Sequence, residues 1–123
     1  MYKNWPQIAA DMTAITKSLR SGAPEVMKAF GAIAQAATEP KVLDTKTKEL
    51  VALGIAVATR CDPCITFHTE SARKHGATRD EILETVGMAF YMGAGPSVMY
   101  AAQAVEAYDQ WVAKAAVPAA EQI

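Results

Sequence analysis

No charged residue lies between Glu84 and Glu106, so the chain must bury or share a long apolar stretch. A membrane-spanning helix needs about 20 apolar residues in an unbroken run. Here Gly93, Gly95 and Pro96 fall in the middle, and a proline inside a helix removes a donor and crowds the preceding turn. The stretch therefore predicts two buried helices joined by a turn, and no membrane span. The rest of the chain agrees with helix. Alanine, the best helix former, occurs 25 times, aromatics make up only 7%, and no alternating β-branched pattern stands out. The expected class is all-α.

With 123 residues, 51% hydrophobic and 20% charged, the chain is long enough for a single domain with a core, spanning 1–123. Its formal net charge is −1 and no Lys/Arg run appears, which argues against nucleic acid or an anionic membrane as partner. The first residues, Met1-Tyr-Lys-Asn-Trp-Pro, contain no apolar signal core, so a cytoplasmic location is expected.

Helix signals divide the chain into about six helices. The first runs from about Pro6 to Leu19, and the second starts at Pro24 and stops before Pro40. Asp44 can cap the third, which is apolar on all sides after Glu49, as a central buried helix would be. The fourth starts with Asp62 as cap and Pro63 at its first position, and ends at Gly76 as a left-handed cap. Thr78 and Glu81 form a capping box for the fifth, Ile82 to about Met92. The sixth begins after Gly95-Pro96 and runs towards Lys114, and Pro118 marks a frayed tail. Two nearly uncharged helices are more apolar surface than such a chain hides alone, so a homo-oligomer is expected, with Tyr91 and Tyr100 at subunit contacts.

The chemistry concentrates in Cys61-Asp62-Pro63-Cys64 and in His68. The assumed cap puts Cys64 at the second position of a helix. Unpaired N–H groups and the helix dipole there favour a thiolate, the reactive form of the thiol. Cys61 has the spacing for a disulfide with Cys64. His68 lies four residues beyond Cys64 on the same helix face, where an imidazole can accept the thiol proton or stabilise the thiolate. A CxxC also serves zinc, which takes four ligands or three plus water. Cys61, Cys64 and His68 would give three, and His75 lies about 10 Å further along the helix. His75 reads better as a partner of the helix C-terminus.

Glu49, then Cys61-x-x-Cys64-x-x-x-His68, then Ala72-Arg73-Lys74-x-Gly76-Ala77-Thr78-x-x-Glu81-Ile82, resembles the alkylhydroperoxidase-D-like branch of the carboxymuconolactone decarboxylase superfamily. The resemblance covers about residues 43–105, and the Gly93–Pro96 turn and Met99-Tyr100-Ala101-Ala102 share it. It implies an all-α homo-oligomer, a homotrimer or homohexamer, with no bound cofactor and no metal. It implies a peroxidase that reduces hydroperoxides and is recycled by a dithiol donor such as a lipoyl group. Cys64 would attack the peroxide, Cys61 would resolve the sulfenic acid, and His68 and Glu49 would relay protons. Pro63 stands where the name-giving peroxidase carries a histidine. Helical rise puts His68 within about 10 Å of Glu49 if the fourth helix folds back, close enough for a water bridge. The decarboxylase side of the superfamily, acting on a lactone acid, has no use for a dithiol. A non-catalytic oligomer whose dithiol binds zinc or senses redox state is the remaining alternative.

Overall fold

The computed structural model describes residues 1–118, and among them every regular element is helical: α1 Trp5–Gly22, α2 Pro24–Thr38, α3 Thr45–Thr59, α4 Asp62–Lys74 and α5 Arg79–Ala116. The tail expected past Pro118 lies outside the described residues. The starts follow local chemistry. The Asp44 side chain accepts from the Thr47 amide, and Thr78 and Glu81 exchange both bonds of the capping box. Gly76 has φ +90°, and the Ala77 and Gly76 amides close back on Ala72 and Arg73 to finish α4.

α5 comprises the expected fifth and sixth helices, joined at a kink rather than by a separate turn, so five elements stand where six are expected. At the break Ala94 has φ 56° and ψ −149°, a conformation that L-residues other than glycine rarely adopt. Two neighbours fix the break there. Pro96 offers no N–H to the preceding turn, and Gly93 lies so close to the buried Ser97 that a Cβ would sit 2.0 Å from its hydroxyl oxygen. The uncharged stretch thus divides into two helical segments at the kink, as the sequence predicts. No described helix is long and apolar enough to cross a membrane.

The core lies where α3, α4 and α5 meet. Leu53 and Val57 of α3, Ile65 of α4 and Ile82 of α5 are fully buried in it, together with Trp5 from the start of α1. Trp5 is held by its indole N–H, which donates to Glu106 at 2.9 Å. Its carbonyl accepts from the Thr66 hydroxyl at 2.7 Å, so α1 is tied to both α4 and α5. The expected burial of α3 on all sides is not observed. Val51 and Ile55 face outward, and with Met88 and Met92 of α5 they line an open groove of about 810 Å³. α2 buries no residue at all: Val26, Phe30 and Ile33 are each more than 60% exposed.

Relieving the strain at Ala94 tests the break directly. Ala94→Gly is expected to stabilise the chain by about 1 kcal/mol. Strain of about 1–3 kcal/mol is released, and the greater freedom of glycine in the unfolded chain takes part of it back. Urea denaturation measures the difference.

Candidate active site

The turn from α3 into α4 is two residues long, Arg60 and Cys61. Arg60 takes the left-handed conformation at φ 56°. The Arg60 amide closes on Val57 and the Cys61 amide on Ala56, the paired bonds that end a helix and reverse the chain. Cys61 therefore becomes the residue that caps α4, and its sulfur accepts from the Cys64 amide at 3.3 Å. The expected assignment shifts by one. Asp62 is the first helical residue and not the cap, Pro63 is the second, and Cys64 is the third. The reason is the turn at Arg60, which leaves only Cys61 before the helix begins. The physical argument survives the shift, since the third amide is also among those without an intrahelical acceptor.

Cys61 and Cys64 form a disulfide across the first turn of α4, with Cα atoms 5.2 Å apart. Both residues are half-buried, and Cys64 packs against the core. Four residues on, His68 meets Glu49 of α3: Nδ1 lies 2.6 Å from Oε2. The expectation was a water-bridged approach at best, and the contact is direct. Helical rise counts only axial distance, and the reach of both side chains closes what remains. Glu49 is buried, with 5% of its surface exposed, so it is not a solvated first-turn glutamate. A buried carboxylate needs a hydrogen-bond donor, and His68 supplies one. Because a carboxylate only accepts, in the neutral imidazole this contact places the proton on Nδ1 and the lone pair on Nε2. His68 is about one-third exposed, so Nε2 can exchange protons with solvent or substrate. The structure thus brings together all four residues singled out by sequence: Cys61 and Cys64 in one turn, His68 one turn beyond, and Glu49 behind it.

His75 stands apart from this group. It caps the end of α4, where Nδ1 lies 2.8 Å from the Ser71 carbonyl oxygen, the helix-terminal partnership expected of it. Among the described residues no group of three His, Cys, Asp or Glu side chains is arranged to hold a metal ion. The groove between α3 and α5 does not include the cysteines or His68.

One neighbour of the site was not expected. The Lys3 ammonium lies 2.6 Å from an oxygen of Asp62, the residue between the two cysteines that opens α4. Nothing in the sequence signals it, because 59 residues separate the pair and no helical period connects them. Tyr100, expected at a subunit contact, has its ring 5.4 Å from the same ammonium.

A model of the carboxymuconolactone decarboxylase family matches residues 24–107 of this chain. The chain is 39% identical to an uncharacterised protein of Cupriavidus necator over 92 residues, 75% of this chain and 81% of that one. It is 37% identical to an uncharacterised protein of Haemophilus influenzae over 108 residues, 88% of this chain and 96% of that one. Among solved structures, a carboxymuconolactone decarboxylase family protein of Legionella pneumophila matches with TM-score 0.85 and 50% identity. That match covers 87% of this chain and 96% of the other. A family member from Thermotoga maritima, for which an involvement in the antioxidative response has been suggested, matches with TM-score 0.78 and 26% identity. It covers 89% and 92% of the two chains.

The Glu49–His68 contact sets which nitrogen of His68 holds the proton. At a pH where the imidazole is neutral, long-range ¹H–¹⁵N spectra should show the Nδ1–H tautomer. In Glu49→Ala they should show the Nε2–H form that free imidazole side chains favour. An Nε2–H tautomer in the unmodified chain would contradict the geometry.

Proposed function

The chain belongs to the carboxymuconolactone decarboxylase family, and from the dithiol at the start of its α4 we propose that it is a thiol-dependent peroxidase or disulfide reductase, acting on hydroperoxides. The observation that carries this reading is the Cys61–Cys64 disulfide seated on a helix N-terminus, one turn from the His68–Glu49 pair. A helix N-terminus favours a thiolate. Cys64 is the attacking residue and Cys61 the resolving one. The suggested antioxidative involvement of the Thermotoga relative supports the same direction.

In this reading the reduced chain presents Cys64 as a thiolate after His68 Nε2 takes its proton. The sulfur attacks the terminal oxygen of the hydroperoxide; an S–O bond forms and the O–O bond breaks. The leaving alkoxide takes the proton held by His68 and departs as an alcohol. Cys64 is now a sulfenic acid. The Cys61 sulfur then attacks the Cys64 sulfur, an S–S bond forms, and the hydroxyl group leaves as water. A dithiol donor of the lipoyl type attacks the disulfide, becomes a disulfide itself and returns both thiols. Glu49 touches neither sulfur; it holds His68 in the tautomer that leaves Nε2 available. Pro63 occupies the position of a possible second shuttle, so His68 carries the proton traffic alone. A reducing compartment, the cytoplasm, suits this cycle.

Self-association belongs to the same reading. A 15-residue helix that buries nothing is poorly stabilised alone. The Val26, Phe30 and Ile33 stripe of α2 and the apolar groove between α3 and α5 give two copies something to cover. The family resemblance makes the assembly a homotrimer or homohexamer. Light scattering should give a mass of three or six chains of 13.1 kDa each, and Phe30→Asp should dissociate it. A monomer in the unmodified protein would contradict this part.

The activity test uses the reduced chain, a hydroperoxide and dihydrolipoamide. Cys64→Ser and Cys61→Ser should each reduce turnover to background, and His68→Gln should slow it by about a hundredfold or more. Full activity in both serine variants would mean that the dithiol is not the reacting group. Decarboxylation of a lactone acid that is indifferent to thiol alkylation would favour the decarboxylase chemistry of the family.

A further inference from the structure

The first four residues are held far more firmly than a surface terminus requires. The Tyr2 and Lys3 amides both donate to the Glu106 carboxylate. The Lys3 carbonyl accepts from the Gln110 side-chain amide at 2.7 Å, and the Trp5 amide donates to the Gln110 side-chain oxygen, also at 2.7 Å. The Asn4 side chain caps α1. The segment is thus fixed along α5, and the product of that fixing is the position of one ammonium group.

Lys3 Nζ sits 2.6 Å from Asp62 Oδ2 and 2.6 Å from Gln103 Oε1. The rings of Tyr2, Trp5 and Tyr100 lie 5.4–5.5 Å from it, so the cation also faces three aromatic partners. Gln103 is buried, and its own amide donates to the Met99 carbonyl, which leaves its oxygen turned to the lysine. Burial works against the charged form of Lys3, but the hydrogen bond and charge of Asp62 outweigh it and hold its pKa above the ordinary value. The ammonium is a permanent charge at this end of α4.

Asp62 is the reason that this matters. A carboxylate in the first turn favours the helix. The same carboxylate sits next to Cys61 and two residues from Cys64, where a negative charge opposes a thiolate. The helix N-terminus and the aspartate therefore act on the sulfur in opposite directions. We propose that Lys3 is a positioning residue for the dithiol, whose ammonium neutralises Asp62 and so keeps the start of α4 favourable to a thiolate at Cys64.

The other charged and titratable groups around this end include Tyr2 of the N-terminal segment, Glu49 of α3, Arg60 of the turn, His68 of α4, and Tyr100 and Glu106 of α5. Glu49 is engaged by His68, and Glu106 by the Tyr2 and Lys3 amides and the Trp5 indole. Lys3 is the cation that contacts Asp62. The inference rests on the redox reading of the cysteines, but its consequence is a property of the thiol that needs no turnover to measure.

The test reads the pKa of Cys64 in a Cys61→Ser background by the ultraviolet absorbance of the thiolate, with helicity followed by circular dichroism. Lys3→Met should raise that pKa by about half a unit to one unit at low salt, and the rise should shrink in high salt. Lys3→Arg should leave it close to the starting value. Asp62→Asn should lower it, and in the Asp62→Asn background Lys3→Met should have a smaller effect than before. In the two-cysteine chain, Lys3→Met should make the disulfide harder to reduce by a dithiol, because the reduced form loses its stabilised thiolate. If Lys3→Met lowers helicity or stability while the thiol pKa stays fixed, Lys3 is only a strap and the proposal is overturned. A thiol pKa indifferent to Asp62→Asn overturns it equally, and that variant leaves the N-terminal anchors intact. A thiol that responds as described in a chain without peroxidase turnover would keep this inference and remove the proposed reaction.

Discussion

The reversal at Arg60 sets the geometry on which the site depends. With only the left-handed Arg60 and Cys61 between two helices, the chain has little slack: Cys61 caps α4, and Asp62, Pro63 and Cys64 fill its first turn. That one turn fixes the cysteines within disulfide reach, points the Cys64 amide at the Cys61 sulfur, and folds α4 back along α3. The last effect brings a histidine and a glutamate 19 positions apart into a 2.6 Å contact. A non-glycine residue in this conformation costs about 1–2 kcal/mol, which the burial of Leu53, Val57 and Ile65 on either side of the turn readily offsets. Strain and site lie next to each other along the chain.

Two ion pairs near that turn tie α4 to other parts of the chain. Glu49 and His68 join α3 to α4, and Lys3 and Asp62 join the N-terminal segment to the start of α4. Trp5 and Glu106 join the same segment to α5. In the proposed chemistry the first pair orients the group that handles protons. In the proposed role of Lys3 the second sets the field felt by the sulfur. Neither is an exposed ion pair of the kind that contributes little, since Glu49 is buried and Lys3 is enclosed by rings. The apolar surfaces left over lie on α2 and along the groove between α3 and α5, which Arg60 lines and the cysteines do not.

Much of this was legible in the sequence, because it depends on short-range chemistry. Asp44, Thr78 with Glu81, Gly76 and Pro63 each mark a helix end through a bond or a dihedral set within a few residues. The CxxC with a histidine four residues on is also local, and the structure places these residues at the cap and in the first two turns of α4. The cap of α4 was misassigned by one residue because aspartate is the better cap in general, and only the closing bonds of α3 show that the cysteine already occupies that place. The bend at Ala94 was visible in Gly93 and Pro96, but whether a bend divides a helix depends on packing across it. Lys3, Trp5 and the contact of Glu49 with His68 arise from pairings over long sequence separations, which no periodicity records. α2 carries an amphipathic pattern that predicts burial, and in the single chain it has nothing to be buried against.

The central claim is that Cys64, activated at the start of α4, is the sulfur that meets the oxidant and that Cys61 resolves it. Intact-mass analysis of the fully reduced chain after one equivalent of hydroperoxide tests this most directly. The account predicts loss of two hydrogens from the unmodified chain as the Cys61–Cys64 disulfide forms, and gain of one oxygen, as a sulfenic acid, in Cys61→Ser alone. Gain of that oxygen in Cys64→Ser instead, or no reaction of the unmodified chain, would contradict it.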